Sequence, residues 1–168
     1  MQRYTVAVLV RNQFGVLNRV TSMFRRRQFN ISCLTVSETE SPDYSRITVL
    51  FDGEEVMKQQ LINQLYKLPD VCSIKELHRD NSVTRELMLM KLQNEPKLYE
   101  ELRAAAEVFD VKTIDYTREA VILQMTGESQ RIDDFIQLMR DYTILEICRT
   151  GIVSLERGET TIRKVTNL

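Results

Sequence analysis

Alternation marks the start of the chain: Tyr4, Val6, Val8 and Val10 fall on one face and Thr5, Ala7 and Leu9 on the other, the period-two signature of a β-strand. From Val16 the period lengthens. Val16, Leu17, Val20 and Phe24 recur at three- and four-residue steps, which predicts a helix with one apolar stripe running to about Gln28. Strand character returns over Ile31–Thr39 and Arg46–Phe51, and the turn chemistry of Ser41-Pro-Asp-Tyr44 between them predicts a hairpin. Met57, Leu61, Leu65 and Leu68 stripe a second helix, with Asp52 as its cap, Glu55 reaching back in a capping box, and Pro69 as its end. Val71–Leu77 supplies a fourth strand.

The order βαββαβ is that of a ferredoxin-like layer, an antiparallel sheet with two helices on one face. After a polar connector, His78-Arg-Asp-Asn-Ser82, the same order repeats: strand Arg85–Leu92, a helix opened by Pro96 with Leu98, Leu102, Ala105 or Ala106, and Phe109 on one face, strands Val111–Tyr116 and Ala120–Thr126, a helix striped by Ile132, Phe135, Ile136 and Met139, and a long last strand Ile144–Leu155. The expected fold is therefore α+β, two ferredoxin-like βαββαβ domains. Each leaves one sheet face without helices, so sheet is expected to meet sheet, between the halves or across a dimer. The polar tail from Arg157 to Leu168 is expected to order only on a partner.

Composition narrows the function. With 168 residues and 43% hydrophobic content the chain has ample material for packed cores. Its 23 Lys and Arg balance 24 Asp and Glu, and a net charge of −1 gives no broad attraction to nucleic acid or an anionic membrane. Three widely spaced cysteines, Cys33, Cys72 and Cys148, sit in apolar runs and suit reduced thiols. No basic region followed by a long apolar run opens the chain and no membrane-spanning length of apolar residues occurs, so a cytoplasmic location is expected.

The candidate chemistry lies at Gly15, between the first strand and the first helix. Lacking a Cβ, glycine admits backbone conformations closed to other residues and a close approach by a ligand, while the first-turn N–H groups of the helix point outward. A carboxylate there is stabilised by those donors and by the helix dipole, the latter by roughly 0.3–2 kcal/mol. A tight turn with no ligand remains the other reading of the same glycine.

Taken together, Asn12-Gln-Phe-Gly-Val-Leu17, Arg19-Val20, Phe24, Asn30-Ile31, Leu34-Thr35-Val36 and Ser45-Arg46 closely resemble the small regulatory subunits of acetolactate synthase, also called acetohydroxyacid synthase. The resemblance continues through Arg85-Glu86-Leu-Met-Leu89, Arg149-Thr-Gly151-Ile-Val153 and Arg157-Gly158. It implies an N-terminal ACT domain over residues 1–77, which dimerises and binds an amino-acid effector at its interface, a connector over 78–83, and a C-terminal ferredoxin-like regulatory domain with a polar tail over 84–168. It further implies a subunit with no catalysis and no cofactor of its own. Such a subunit activates a catalytic large subunit, to which thiamine diphosphate, Mg and FAD belong, and confers feedback inhibition by valine or another branched-chain amino acid. One methylene discriminates by only about 1–3 kcal/mol, so valine, leucine and isoleucine are expected to overlap as effectors.

Carried over residue by residue, the implied effector site comprises Asn12, Gly15, Val16, Leu17, Asn30 and Ile31, with Thr35 and Gln60 in addition. Gly15 and the N–H groups of Val16 and Leu17 suit the carboxylate, and the side-chain carbonyl of Asn12 or Asn30 suits the ammonium group. Asn30 also reads as a plain turn residue, and Thr35 and Gln60 as solvent-facing polar residues. Phe14 departs from the many family members in which proline or a small residue precedes the glycine; its ring has three places to go, the pocket wall, the dimer seam or the site itself.

Other signals have structural readings. Arg25-Arg26-Arg27 complements the C-terminal dipole of the first helix. His78, the single histidine, has no ligand partners at zinc spacing, and Met88, Met90 and Met125 read as core. Glu100-Glu101 and Asp133-Asp134 read as solvated helix faces. Among rival functions, the acylphosphatase-like pair Arg11 and Asn30 stands without any P-loop or nucleophile elbow. An RNA-binding sheet needs aromatics where this one has Val6, Val8, Ile47 and Val49. A stand-alone ACT-type sensor acting on another enzyme is the remaining alternative.

Overall fold

The computed structural model describes residues 2–165, without the side chains of Lys164 and Val165. Its elements are β1 (Gln2–Arg11), α1 (Val16–Arg26), β2 (Ile31–Glu38), β3 (Tyr44–Gly53), α2 (Glu55–Leu65) and β4 (Val71–Glu76), then β5 (Ser82–Gln93), α3 (Leu98–Phe109), β6 (Lys112–Tyr116), β7 (Ala120–Gly127), α4 (Ser129–Leu138), β8 (Ile144–Arg149) and β9 (Val153–Glu156). The first sheet has the order β2-β3-β1-β4 and the second β6-β7-β5-β8, neighbours antiparallel, which is the ferredoxin-like arrangement in both. The expected α+β fold with two βαββαβ units is the one observed.

Each core forms where the two periods meet. Tyr4, Val6, Val8 and Val10 of β1 and Ile47, Val49 and Phe51 of β3 face Val16, Val20, Met23 and Phe24 of α1 and Leu61 and Leu65 of α2. Full burial of a side chain such as Phe51 or Leu61 contributes roughly 1.5–3 kcal/mol. In the second unit Met88, Met90 and Leu92 of β5 and Leu123 and Met125 of β7 pack on Leu98, Ala105, Ile132, Phe135 and Met139.

Two local expectations are corrected. Glu54, not Asp52, occupies the N-cap of α2 and no side chain caps that helix. The Asp52 carboxylate instead accepts from Arg3 at 3.1 Å and from Ser32 at 3.2 Å, because β3 runs on to Gly53 and carries Asp52 opposite Arg3. The long last strand is divided into β8 and β9: Thr150, Gly151 and Ile152 interrupt it, and Gly151, at φ 76°, takes a left-handed conformation that no regular strand contains.

That break redirects the chain. One compact unit takes the chain up to Val83 and again from Ile152, and the other is Thr84–Gly151. The segment from Ile152, read from the sequence as part of the second domain, thus groups with the first. Arg157 N–H donates to the Asn81 carbonyl at 2.8 Å. The backbone N–H of Ile152 donates to Cys33 Sγ at 3.4 Å, and Arg46 Nη2 donates to the Ser154 carbonyl at 2.7 Å. Ala7, Leu9 and Thr48, on the helix-free side of the first sheet, are buried along with Ile152 and Ser154. Residues Arg157 to Val165, expected to order on a partner, group with the first domain; Thr166, Asn167 and Leu168 fall outside the described residues.

Glu86 and Arg149, from two of the family-resembling stretches of the second half, meet in one network. Arg149 Nε and Nη2 donate to Glu86 Oε1 and Oε2 at 2.7 and 2.8 Å, Ser129 Oγ donates to Glu86 Oε2 at 2.7 Å, and Arg149 Nη1 reaches Asp133 at 2.6 Å. Burial pushes the Glu86 carboxyl up, but the hydrogen bonds from Arg149 and Ser129 and the Arg149 charge outweigh it and hold the group below the usual carboxylate value.

Candidate functional site

The turn between β1 and α1 is built by the backbone. Arg11 N–H donates to the Asp70 carbonyl at 2.9 Å and Asn12 N–H to the Asp43 carbonyl at 2.7 Å, which pins the end of β1 between two other loops. Gln13 N–H then bonds the Arg11 carbonyl and Val16 N–H the Gln13 carbonyl, at 3.0 and 3.3 Å, closing a turn that only a left-handed residue completes. Gly15 supplies it, at φ 82° and ψ −3°, as the N-cap of α1. Helical bonding starts with Arg19 N–H donating to the Gly15 carbonyl at 3.0 Å.

This places the free donors one residue later than the sequence suggested. Val16 N–H is used by the turn, and the Val16 side chain lies in the core at 4% exposure. The N–H groups of Leu17 and Asn18, at the second and third helical positions, are those without an intrahelical acceptor. Both residues are exposed.

A cation stands beside them. Arg19 points back along α1, as helical side chains do, and its Nη1 lies 3.3 Å from where a Cβ on Gly15 would be; its Nε is held by Asp70 Oδ2 at 2.7 Å. In the sequence Arg19 belongs to the resemblance and not to the expected site. Its position four residues after the glycine, on the same helix face, is the signal that could have identified it. Two helix-terminal amides, a dipole end and a guanidinium converge where a carboxylate would bind.

Asn12 frames the other side. Its Nδ2 donates to Glu38 Oε1 at 3.1 Å and to the Pro42 carbonyl at 2.9 Å, which fixes the amide and leaves its carbonyl oxygen as the acceptor for an ammonium group. Phe14 is fully exposed, so within one copy the ring does not fill the crevice.

Asn30 and Ile31 are elsewhere. Ile31 pairs with Phe51, which pairs with Tyr4, whereas Asn12 follows Arg11, the partner of Tyr44. Tyr4 and Arg11 are seven residues apart on β1, which at about 3.3 Å per residue separates the two groups by about 23 Å. Thr35 lies level with Thr48 and Ala7, on the sheet face away from the helices, and Gln60 is exposed on α2. One copy thus brings together Asn12, Gly15 and Leu17, with Asn18 and Arg19, and does not bring Asn30, Ile31, Thr35 or Gln60 to them. Among the described residues no group of three or more His, Cys, Asp or Glu is placed to hold a metal ion, and no helix is long and apolar enough to cross a membrane.

Residues 6–73 match the model of the AHAS small subunit-like ACT domain, and residues 85–158 that of the small subunit of acetolactate synthase. The chain is 40% identical over 156 residues to the probable acetolactate synthase small subunit of Archaeoglobus fulgidus, covering 93% of this chain and 98% of that one. It is 37% identical over 162 residues to the isozyme 3 small subunit of Escherichia coli, covering 96% and 99%. Among solved structures, the acetolactate synthase small subunit of Thermotoga maritima superposes with a TM-score of 0.88 at 34% identity, covering 95% of this chain and all of that one.

Proposed function

This chain belongs to the family of acetolactate synthase small subunits, and from that premise we propose that it activates the catalytic large subunit and makes it sensitive to valine or a related branched-chain amino acid. The effector binds between the ACT domains of two copies. Its carboxylate meets the Leu17 and Asn18 amides beside Gly15 with Arg19 at their flank, and its ammonium group meets Asn12.

The observation that carries this reading is the 23 Å gap itself, taken with the position of β2. β2 stands at the edge of the first sheet, and a sheet edge is the usual template for pairing between chains. Two copies related by a two-fold axis that join β2 to β2 must pair antiparallel. The Ile31 end of one strand then lies against the Glu38 end of the other, and Glu38 is bonded to Asn12. The partner's Asn30 and Ile31 are carried to Asn12 and Gly15, completing a site that each copy holds in halves. Ile31 supplies apolar surface for the branched side chain, whose burial contributes roughly 1.5–3 kcal/mol. Phe14 is exposed in one copy, so its place at the pocket wall, in the seam or in the site itself is set only when two copies meet.

Occupancy regulates the enzyme by favouring one arrangement of the assembly, at typical coupling energies of about 1–3 kcal/mol. No catalytic chemistry is assigned to the chain, and thiamine diphosphate, Mg and FAD remain with the catalytic subunit. The test pairs two measurements on the purified chain. Calorimetric titration with valine should give saturable binding at one site per chain. Turnover of the catalytic subunit from the same source should rise when the chain is added and fall again with valine. No association with the catalytic subunit removes the proposed role, and no binding of any branched-chain amino acid removes the site.

A further inference from the structure

The loop that fixes Asn12 is itself held from the far end of the chain. Asn12 is bound through its backbone N–H to Asp43, and through its side chain to Pro42 and Glu38, so the β2–β3 turn sets the position of that residue. Arg163 grips the same turn with three contacts: Nη1 pairs with Glu40 Oε1 at 3.0 Å, Nη2 donates to Thr39 Oγ1 at 3.4 Å, and the guanidinium lies 5.1 Å from the centre of the Tyr44 ring. Within itself the turn is tied by Thr39 N–H to the Tyr44 carbonyl, Tyr44 N–H to the Ser41 carbonyl, and the Thr39 hydroxyl to Ser41. Arg163 thus ties the turn to the segment after β9.

That segment has its own anchors. Lys75 and Asn81 both hold Glu156, and Arg46 holds the Ser154 carbonyl, so the backbone leading to Arg163 is docked on the first domain before Arg163 engages the turn.

We propose that Arg163 is a positioning residue for the effector site, acting through the Thr39–Tyr44 turn to hold Asn12 where the ammonium group of the effector binds. The inference rests on the proposed effector site and assigns a specific task to the C-terminal segment. Arg163 touches no ligand. It narrows the range of turn positions, so that less ordering remains to be done when the ligand arrives.

The test compares Arg163→Ala, Arg163→Lys and Gly15→Asp with the parent chain by valine calorimetry and by amide hydrogen exchange without ligand. The Asn12 N–H, bonded to Asp43, reports on the turn directly. Exposed ion pairs and cation–π contacts are each modest, so Arg163→Ala should weaken valine binding about three- to tenfold and speed Asn12 exchange. Arg163→Lys keeps the charge at Glu40 and the ring contact but loses the planar fork, and should fall between the two. Unchanged Asn12 exchange in Arg163→Ala overturns the proposal, whatever valine does. Parent-like valine affinity in Arg163→Ala, with binding abolished in Gly15→Asp, also overturns it and leaves the effector site standing. Failure of every chain to bind a branched-chain amino acid removes the effector site, while faster Asn12 exchange in Arg163→Ala would still establish the hold on the turn.

Discussion

Replacing Arg149 with methionine removes a charge while keeping most of the apolar stem, and its cost follows from what the change leaves behind. The Glu86 side chain is 5% exposed and receives two donors from Arg149 at 2.7 and 2.8 Å. In Arg149→Met it keeps the Ser129 hydroxyl and the Gly151 N–H, and no cation. Removing one partner of a buried pair costs about 3–5 kcal/mol. The Arg149 side chain is 31% exposed, so water reaches part of the vacated space, and the lower end, about 3 kcal/mol, is expected. The chain has no tryptophan, so urea unfolding is best followed by far-ultraviolet circular dichroism. Two signatures separate this account from a simple loss of packing. Glu86→Leu combined with Arg149→Met should recover most of the loss, because no buried carboxylate then lacks a partner. The deficit of Arg149→Met should also grow as pH rises above about 4.5. Burial without the guanidinium raises the folded Glu86 pKa above its unfolded value, so the folded chain binds the extra proton and loses stability as that proton leaves. A variant within 1 kcal/mol of the parent at pH 7.5, or a double variant no more stable than Arg149→Met alone, would refute the reasoning (the threshold is about the error of comparing extrapolated stabilities).

In the parent chain the sign is opposite. Glu86 titrates below the usual 4.5, so its contribution is intact above that value and lost as pH falls through the depressed folded value; the stability gap between the parent and Glu86→Gln should narrow on acidification below about pH 4.5 in parallel urea titrations. Gly15→Asp combines a left-handed backbone at φ 82°, costing about 1–2 kcal/mol in a non-glycine residue, with a carboxylate where the effector carboxylate should sit; calorimetry should show valine binding weakened at least about 100-fold, and an unchanged affinity would move the pocket elsewhere. Phe14→Ser should leave the unfolding free energy of the chain within about 0.5 kcal/mol, because the ring is fully exposed in one copy, while changing valine affinity or the dimer dissociation constant in analytical ultracentrifugation. No change in either would leave the ring without a role in the pocket or the seam.

Periodicity gave the elements because each helix and strand buries one face: Val20 and Phe24, or Leu61 and Leu65, carry a signal that needs no partner to be read. It could not show what covers the other face of β1. Alternation places Thr5, Ala7 and Leu9 together, yet the burial of Ala7 and Leu9 depends on a segment more than a hundred residues away, redirected by one left-handed glycine. The capping box at Asp52 was a local match overruled by a cross-strand partner, Arg3. The glycine turn was legible because its chemistry is local, while the separation of Asn12 from Asn30 was not, since it depends on strand order and register. Arg85-Glu86 and Arg149-Thr150-Gly151 are legible in the sequence as family-like stretches; the structure adds that Glu86 and Arg149 are one ion pair.

A site divided between opposite ends of β2, as proposed above, has a genetic consequence. A chain defective at Gly15 and a chain defective at Asn30 fail at different halves, so a mixed pair concentrates both lesions in one crevice and leaves the other whole. Co-expressing two feedback-deaf alleles should therefore restore part of the response that neither gives alone, whereas two lesions in the same half should never repair each other.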